Sequence, residues 1–329
     1  MSLSKKLISI FTPVYNEEQN LELVYQQAKE IMTSVSDRYD YEHVFSDNAS
    51  TDHSYSILKR LRAHDQRIKL IKLSRNFGCT KSTLNGLYKC RGDAIVQIDA
   101  DLQDPPEMIP EFLAKWEAGY KVVYGVRKDR DEFWLMKYTR KAFYRIAANL
   151  SGETLIPDVG EFRLIDRRIV TELKKTVDYN PYLRGQIANM GFAQVGIPYR
   201  RRARKYGKSS NNLFLLIDYG INGVVSHSKA LLRISTMTGF VLAVGAFAAA
   251  ALYLILRVVY PETPRGIASI MIFILFFSGI QMIFLGIIGE YVAKILDQSL
   301  QKPLVIEEEL VGFDESAESL EEQHASLSR

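Results

Sequence analysis

Cysteine and net charge are both scarce in this sequence, and each scarcity excludes a class of protein. Cys79 and Cys90 are the only cysteines among 329 residues, which excludes a disulfide framework and indicates a reducing compartment. The formal net charge is only +4, too small to indicate a nucleic-acid-binding protein. No apolar segment at the amino terminus resembles a signal peptide, so we expect the first 210 residues to remain in the cytosol.

Long apolar runs are present towards the other end of the chain. Ile234–Leu256 contains 23 residues without a charge, and Gly266–Gly289 contains another 24. As a helix, each run would be about 35 Å long, enough to cross the ~30 Å hydrocarbon core of a bilayer. A buried helical hairpin in a soluble core is the alternative, but such helices seldom run this long without a charge. We therefore predict a two-helix transmembrane region over residues 231–296.

Basic residues flank the two apolar runs and predict their orientation. Lys229 and Arg233 precede the first run, and Lys294 and Lys302 follow the second. Because cytoplasmic flanks of membrane helices are rich in lysine and arginine, both termini should be cytosolic. Two arginines in the short connection between the runs weaken this asymmetry. We expect a multi-pass protein of the cytoplasmic (inner) membrane.

The first half of the chain alternates short apolar runs with helical patterns. Helices are predicted at about 17–35, 51–64 and 82–88, and strands at Leu7–Phe11, His43–Ser46, Ile68–Leu73 and Asp93–Ile98. This alternation is typical of an α/β domain with a mostly parallel sheet. Ligands of such sheets bind beyond the carboxyl ends of the strands, so we expect the four loops that follow them to line one crevice.

Two carboxylates, Asp99 and Asp101, follow the fourth predicted strand. In extended chain, residues two apart share a face and lie about 6.6 Å apart, so both carboxylates can converge on one ligand. Mg²⁺ is usually held by one or two carboxylates together with phosphate oxygens and water, so a cation that carries a diphosphate suits this pair. The alternative is an acidic turn in which Pro105 and Pro106 open a helix.

Five segments in this order resemble the signature segments of a known enzyme family. They are 12–18 (TPVYNEE), 73–78 (LSRNFG), 99–107 (DADLQDPPE), 125–127 (GVR) and 160–164 (GEFRL). They resemble family-2 glycosyltransferases, and more narrowly the polyprenyl-phosphate glycosyltransferases, which include dolichol-phosphate mannose synthases and bacterial undecaprenyl-phosphate glucosyltransferases of the GtrB type. The resemblance implies an α/β GT-A (nucleotide-diphospho-sugar transferase) domain, followed by an amphipathic interfacial helix and two transmembrane helices.

For the nucleotide sugar, the resemblance implies a set of binding residues in the four loops. Glu17 is expected near the ribose, although a helix-capping glutamate is its alternative. Asn48 and Ala49 depart from the family pattern Asp-Asp-Gly-Ser-Thr-Asp, of which Asp47 matches the first acid. Arg75 is expected near the phosphates, and pairing with a neighbouring acid is its alternative. The implied nucleotide-sugar-binding residues are Pro13, Tyr15, Glu17, Asp47, Asn48, Arg75 and Asp99.

The resemblance also implies a metal pair and an acid near the acceptor. Asp101 and Asp99 would hold Mg²⁺ or Mn²⁺, with Asp101 the direct ligand and Asp99 nearer the ribose or the donor sugar. Asp158 is the preferred base or positioning group, and Glu161 is a second candidate. Glu161 stands where the family more often has aspartate, and it could equally be a structural partner of Arg163. The implied catalytic residues are Asp158, Glu161 and Asp101.

A basic run from Arg200 to Lys208 precedes the membrane region. It can be a solvated loop near an anionic bilayer or a nucleic-acid contact, though no aromatic platform accompanies it. The resemblance instead implies that it holds the lipid phosphate and the leaving diphosphate. The implied acceptor and phosphate residues are Arg127, Arg201, Arg204, Lys208 and Ser209. The next segment, 211–230, has the spacing of an amphipathic interfacial helix, with core packing as its alternative.

Together with the resemblance, these features predict an inverting, metal-dependent glycosyltransferase with four regions. They are a catalytic domain over 1–210, an interfacial segment over 211–230, a membrane region over 231–296 and a mobile acidic tail over 297–329. The resemblance implies a reaction that moves glucose from UDP-glucose to undecaprenyl phosphate, with GDP-mannose or another donor as the alternative. A processive polysaccharide synthase is a weaker rival, because its usual Gln-x-x-Arg-Trp element is missing. A non-catalytic membrane scaffold would not need the acids of the four loops. The resemblance implies a homo-oligomer, a tetramer.

Overall fold

A computed structural model of the chain describes residues 5–128, 159–176, 178–179, 181–202, 230–259, 266–300 and 302–313. The chain divides into two compact units, one of 1–137, 154–210 and 303–329, and one of 138–153 and 211–302. The predicted residues Asp158, Arg204, Lys208 and Ser209, and the predicted interfacial segment up to residue 229, lie outside the described residues.

The first unit alternates strands and helices as the sequence predicts. Its strands are β1 (Lys6–Val14), β2 (Tyr39–Asp47), β3 (Ile68–Leu73), β4 (Ala94–Gln97), β5 (Val122–Lys128), β6 (Val159–Asp166), β7 (Gln194–Arg200) and β8 (Glu307–Val311). Its helices are α1 (Leu21–Ser34), α2 (Ser54–His64), α3 (Cys79–Lys89), α4 (Ile109–Glu117), α5 (Arg167–Lys174) and α6 (Leu183–Asn189). A short 3₁₀ turn, Pro106–Met108, leads into α4.

All eight strands form one sheet in the order β7-β5-β6-β4-β1-β2-β3-β8. The pairs β1–β2, β1–β4, β2–β3 and β5–β7 are parallel, whereas β6 runs antiparallel to β4 and β5. The prediction of a mostly parallel sheet is confirmed. Strands β1 to β4 all end at one edge, which places their four following loops side by side.

Strand β1 lies in the middle of the sheet and is buried on both faces from Ile8 to Thr12, as expected of a strand covered by helices. The predicted strand ends at Phe11, before Pro13, but the observed strand continues through Pro13 to Val14. Phe11 pairs with Gln97, the last residue of β4, and its carbonyl accepts a hydrogen bond from the Ile98 N–H at 2.9 Å. Pro13 faces the same side two residues later, where β4 has ended. Its missing N–H therefore costs no ladder hydrogen bond.

The carboxyl-terminal region corrects the prediction of a mobile acidic tail over 297–329. Residues 307–311 form β8, which pairs antiparallel with β3 at the edge of the sheet. Apolar side chains within the strand, before it and after it hold it there. Leu304, Val305, Leu310 and Phe313 pack on the buried cluster that includes Ile71 and Leu73 of β3. The prediction rested on the acidic composition of the segment and gave no weight to these apolar residues. The prediction is wrong for 302–313, and residues 314–329 lie outside the described part of the chain.

The second unit contains two long helices, α7 (Ala230–Val259) and α8 (Ile267–Ser299). Segments Ile234–Tyr253 and Phe276–Ser299 have mean hydropathies of 1.8 and 1.5, so both helices are long and apolar enough to cross a membrane. The helices contact each other where Gly239 faces Phe284; a Cβ at this glycine would lie 3.7 Å from the Phe284 ring. Helix α8 extends beyond the predicted apolar run, which stops at Gly289.

Candidate active site

Each loop after β1, β2, β3 and β4 contains a residue with positive φ. Three of them are not glycine, namely Asn16 (φ 56°), Ala49 (φ 58°) and Leu102 (φ 60°), and the fourth is Gly78 (φ 89°). A side chain in this left-handed region costs energy, and such residues gather where a binding site needs an unusual backbone path. The strained backbone therefore marks the same edge of the sheet at which the sequence predicts a crevice.

Hydrogen bonds join the loop after β1 to the loop after β2. The Asn16 N–H donates to the Ser50 Oγ at 2.9 Å, and the Asn16 Oδ1 accepts from the Thr51 N–H at 2.8 Å. The Glu17 N–H donates to the Ser54 Oγ at 3.0 Å. The Glu17 carboxylate accepts a hydrogen bond from the Asn20 amide at 2.6 Å just before α1, which favours the capping alternative for this residue. The side chain of Tyr15, another predicted nucleotide-sugar-binding residue in the loop after β1, is 42% exposed.

Asp47 is the last residue of β2 and is fully buried. Burial raises the pKa of its carboxyl, and hydrogen bonds from Ser50 lower it by a smaller amount. Its Oδ2 accepts the Ser50 N–H at 3.2 Å, while its buried Oδ1 has no hydrogen-bond partner among the described residues. A buried acceptor without a partner is costly, so this oxygen is suited to an N–H of a ligand.

Asn48 joins the loop after β2 to the loop after β3. Its Nδ2 donates to the Asn76 Oδ1 at 2.9 Å, and its Oδ1 accepts the Phe77 N–H at 2.9 Å. An amide can donate and accept at once, whereas the aspartate of the family pattern cannot donate when ionised. This gives the departure at position 48 a structural reason. The side chain is occupied by the protein, so Asn48 shapes the pocket instead of reaching into it.

Arg75 lies over the ring of Phe77, with 4.1 Å between the guanidinium carbon and the ring centroid. Its Nη1 is 3.4 Å from the Asn76 carbonyl oxygen, and the side chain is exposed. A guanidinium that stacks on a ring keeps its edge donors available for an anion. Within the described residues Arg75 forms no ion pair, so the alternative of a neighbouring acid is not what the structure shows.

Three aspartates follow β4, and their charges act on each other. Asp99 is half-buried, Asp101 is partly buried, and Asp104 is 2% exposed. Burial, and after it the negative charges of Asp104 and Asp101, raise the pKa of Asp99 to about 8. The Asp101 Oδ1 accepts the Gln103 N–H at 3.1 Å, and its Oδ2 lies 3.8 Å from the Arg201 guanidinium. The loop is therefore short of positive charge.

Asp104 and Tyr199 are part of the site, and the sequence reasoning missed both. The Tyr199 hydroxyl donates to the Asp104 Oδ1, and the Arg127 Nε donates to the Tyr199 oxygen at 3.4 Å. The Asp104 Oδ2 is buried and has no hydrogen-bond partner among the described residues. The sequence did contain a signal for Asp104, because it is a third acid close to the Asp99–Asp101 pair. It contained no signal for Tyr199, because β7 lies far from this loop along the chain.

Glu161, a predicted catalytic residue, lies between two arginines. Its Oε2 accepts from the Arg163 Nη2 at 2.6 Å, and its Oε1 accepts from the Arg184 Nε at 2.7 Å. Burial alone would raise the pKa of Glu161, but the charges of Arg163 and Arg184 lower it to about 2. A carboxylate held this way is a weak base, so the structure favours the structural alternative for this residue.

Three residues of the basic run, Arg200 to Arg202, are described, and Arg201 and Arg202 lie against the loop of the three aspartates. The Arg202 N–H donates to the Gln103 carbonyl at 3.0 Å, and the Gln103 side chain donates back to the Arg202 carbonyl at 3.3 Å. Arg202 also pairs with Glu107 at 3.0 Å. The structure thus brings Arg127 and Arg201 to the aspartates.

The donor set fits a hard divalent cation. Asp99 and Asp101 offer carboxylate oxygens, and their neighbourhood has an excess of negative charge that a cation would offset. Among the described residues, no three histidine, cysteine or acidic side chains converge closely enough to hold a metal ion. A cation here would therefore complete its coordination with water and with the oxygens of a bound diphosphate, as Mg²⁺ commonly does.

Comparison with known proteins identifies the family of this chain. Residues 9–174 match the family model described as "Glycosyl transferase family 2". The uncharacterized glycosyltransferase YkcC of Bacillus subtilis is 36% identical, with 97% of this chain and 98% of that protein covered. The bactoprenol glucosyl transferase of Shigella phage SfV is 33% identical, with 91% and 97% covered.

The chain also resembles a solved structure. The mannosyltransferase PcManGT from Pyrobaculum calidifontis, in complex with GDP-Man and Mn²⁺, aligns with a TM-score of 0.49 and 16% identity over 90% of this chain and 87% of that chain. The family match covers half of the chain and contains the loops after β1 to β4, including all three aspartates. The chain belongs to glycosyl transferase family 2, and its catalytic domain is a glycosyltransferase domain with the GT-A fold.

Proposed function

We propose that this glycosyltransferase moves a hexose from a nucleotide sugar to a polyprenyl phosphate, with inversion at the transferred carbon. Glucose from UDP-glucose and undecaprenyl phosphate are the favoured pair. The observation that carries the proposal is the similarity to a phage bactoprenol glucosyl transferase, 33% identical over 300 residues. That match is longer than the catalytic domain, so it extends into the apolar helices, and it covers 97% of the relative.

The loops after β1, β2 and β3 would hold the nucleotide. The unpartnered Asp47 Oδ1 would accept an N–H of the base, and Tyr15 with Pro13 would line the nucleoside. Glu17 would lie near the ribose, and the exposed guanidinium of Arg75 would bind a phosphate. Asn48 would support this pocket through Asn76.

Asp99 and Asp101 would hold Mg²⁺ or Mn²⁺ together with the diphosphate of the donor. A divalent cation bound there neutralises negative charge on the departing diphosphate. Arg127 and Arg201, whose charges act on these aspartates, would bind the same anionic oxygens. A phosphate monoester with a second pKa near 6 is already mostly dianionic at neutral pH, so the acceptor is a nucleophile before any base acts. The demands on the protein are therefore positioning and charge stabilisation. Asp158 remains our candidate for positioning the acceptor.

The acceptor explains the two apolar helices. A polyprenyl phosphate stays in the bilayer, so the enzyme must work at the membrane surface. Helices α7 and α8 would anchor it, with both termini and the catalytic domain on the cytoplasmic face. The basic run would continue through Arg204, Lys208 and Ser209 to the lipid phosphate, with segment 211–230 at the interface. A homo-oligomer, a tetramer, completes the proposal.

The test is a transfer assay with the purified full-length protein in nanodiscs. Radiolabelled UDP-glucose, undecaprenyl phosphate and Mg²⁺ should give a labelled lipid that carries one sugar, and EDTA should abolish it. Parallel reactions with GDP-mannose and other nucleotide sugars identify the donor. Absence of transfer from every donor to any polyprenyl phosphate would overturn the proposal. A product with many sugars would instead establish the processive synthase.

A further inference from the structure

We propose that Asp104 is a third carboxylate of the cation site, acting from behind Asp99 and Asp101 through a water molecule of the hydrated cation. The inference rests on the proposed function, because it takes the cation to be bound by Asp99 and Asp101. Asp104 is a buried acid to which the proposed binding of nucleotide and acceptor gives no role.

The position of the Asp104 carboxylate is fixed by one specific contact. Its Oδ1 accepts the Tyr199 hydroxyl, and Tyr199 is held in turn by Arg127 at 3.4 Å. Tyr199 is 5% exposed and packs edge-on against Phe162, so it cannot follow a moving loop. The carboxylate is therefore anchored to β7, although it belongs to the loop after β4.

Further contacts fix the backbone around Asp104. Gln103 exchanges two hydrogen bonds with Arg202, and Glu107 pairs with the same arginine. Arg201 approaches Asp101 at 3.8 Å. The whole loop from Asp101 to Glu107 is thus fastened along the end of β7, and Asp104 is held at its centre.

The second oxygen of Asp104 indicates what this anchoring serves. The Oδ2 is buried and has no hydrogen-bond partner among the described residues. Leaving such an acceptor unpaired is costly unless a ligand or water satisfies it. The groups whose charges act on Asp104 are Arg127, Arg201 and Asp101, and the charge of Asp104 acts more strongly on Asp99 than that of Asp101 does. The Asp104 carboxylate therefore lies close enough for its charge to act on the carboxylate pair, and Oδ2 is the oxygen that the Tyr199 hydroxyl does not occupy.

Water supplies the missing link between this oxygen and a cation. No three acidic side chains converge on one point among the described residues, which excludes Asp104 there as a third direct ligand. Mg²⁺ keeps several of its waters in protein sites, and those waters donate hydrogen bonds to carboxylates nearby. Such outer partners commonly change metal affinity by about 10- to 100-fold when they are removed.

The experiment measures Mn²⁺ affinity by electron paramagnetic resonance, with the full-length protein in nanodiscs and UDP at saturation. Asp104→Asn keeps an oxygen that can accept from Tyr199 but removes the negative charge. We expect Mn²⁺ affinity to fall by about 10- to 100-fold, while UDP binding without metal and the melting temperature in EDTA do not fall. Glu111→Gln is the matched control, because Glu111 is an exposed acid in the first turn of α4, and it should change Mn²⁺ affinity less than twofold.

Two further variants keep the outcomes distinct. Tyr199→Phe frees the carboxylate from its anchor and should weaken Mn²⁺ binding several-fold, and the double variant with Asp104→Asn should be no weaker than Asp104→Asn alone. If Asp104→Asn fails to fold, unchanged Mn²⁺ affinity in Tyr199→Phe overturns the inference. Unchanged affinity in a folded Asp104→Asn also overturns it, provided that Asp101→Ala abolishes Mn²⁺ binding. Full Mn²⁺ binding in Asp101→Ala would overturn the proposed cation site itself.

Discussion

Two acidic stretches of the catalytic domain, each with three carboxylates, are treated in opposite ways. In β8, each of Glu307, Glu308 and Glu309 faces a lysine: the distances are 3.1 Å to Lys89, 2.7 Å to Lys72 and 2.9 Å to Lys59. In the loop after β4, Asp99, Asp101 and Asp104 share Arg127 and the distant guanidinium of Arg201.

The difference extends to the backbone and to burial. The loop after β4 carries Leu102 in a left-handed conformation and a buried carboxylate oxygen without a partner among the described residues, whereas the acids of the edge strand β8 are exposed or partly buried. Acids that form ion pairs with lysines of the same chain, as in β8, hold one segment against another. Acids that the chain leaves short of cations cost stability, and a ligand must offset that cost. Four measurements test this contrast, in order of decreasing effect.

The largest effect should follow from removing one acid of each stretch. Asp101→Ala should lower the rate of sugar transfer at least about 100-fold, because loss of a metal ligand removes several kcal/mol of charge stabilisation. Glu308→Ala should leave the rate within twofold. The measurement is transfer of labelled glucose to lipid at saturating Mg²⁺. A fully active Asp101→Ala enzyme would remove the metal role, and an inactive Glu308→Ala enzyme would erase the contrast.

The second effect is on stability as a function of pH, without metal. The folded-state pKa of Asp99, about 8, lies above its ordinary value of 3.8, so the folded protein binds this proton more tightly than the unfolded chain. The associated stability is fully present below pH 4 and is lost as pH rises towards about 8, by up to about 1.4 kcal/mol per pH unit.

Asp99→Asn removes this dependence and tests its sign. In EDTA, the variant should melt at a higher temperature than the wild type, by a margin that grows from pH 5 to pH 8. Thermal unfolding followed by circular dichroism at each pH gives that margin. A margin that stays constant or shrinks with pH would show that Asp99 is not a protonated acid of the metal-free site.

A smaller effect is expected from the paired acids of β8. Glu308→Gln with Glu309→Gln removes two exposed ion pairs, each worth at most about 1 kcal/mol. The melting temperature should fall by a few degrees at low salt and by less at 1 M NaCl, where exposed charges are screened. Glutamine retains the shape of glutamate, so sugar transfer should not change. A salt-independent loss would mean that β8 is held by its apolar side chains alone.

The smallest effect concerns the strained backbone after β2. Ala49 has φ 58°, where a Cβ costs about 1–2 kcal/mol, and glycine removes that cost at an entropic penalty of about 0.5–1 kcal/mol. Ala49→Gly should therefore stabilise the protein by about 0.5 kcal/mol, measured by chemical denaturation. Ala63→Gly, in helix α2, is the control and should destabilise it by a similar amount. Destabilisation by Ala49→Gly would show that position 49 carries no strain.

The local elements were predictable because they depend on short-range patterns. The spacing of apolar residues found α1, α2 and β3 within a few residues, and the carboxyl ends of β1 to β4 followed from their alternation. The tail was mispredicted because its glutamates dominate the composition, while the four apolar residues that hold β8 count only once β3 is beside them. Pro13 was placed at a strand end because the register with β4 cannot be read from one strand.

The candidate site divides in the same way. Asp99, Asp101 and Asp47 follow strands and could be identified by position, whereas Tyr199 reaches Asp104 across 95 residues of sequence. The two arginines beside Glu161 were also visible as residues, but only their distances decide between a base and a structural partner.

By itself, the sequence determined the strands β1 to β4, which helices are apolar enough for a membrane, and which loops carry acids, because periodicity and hydropathy are properties of neighbouring residues. Tertiary structure decided which acids are neutralised. The charge of a carboxylate is fixed by its chemistry, but its pKa and its use depend on burial and on cations that arrive from distant strands. For this reason the two acidic stretches look alike in the sequence and differ in the fold.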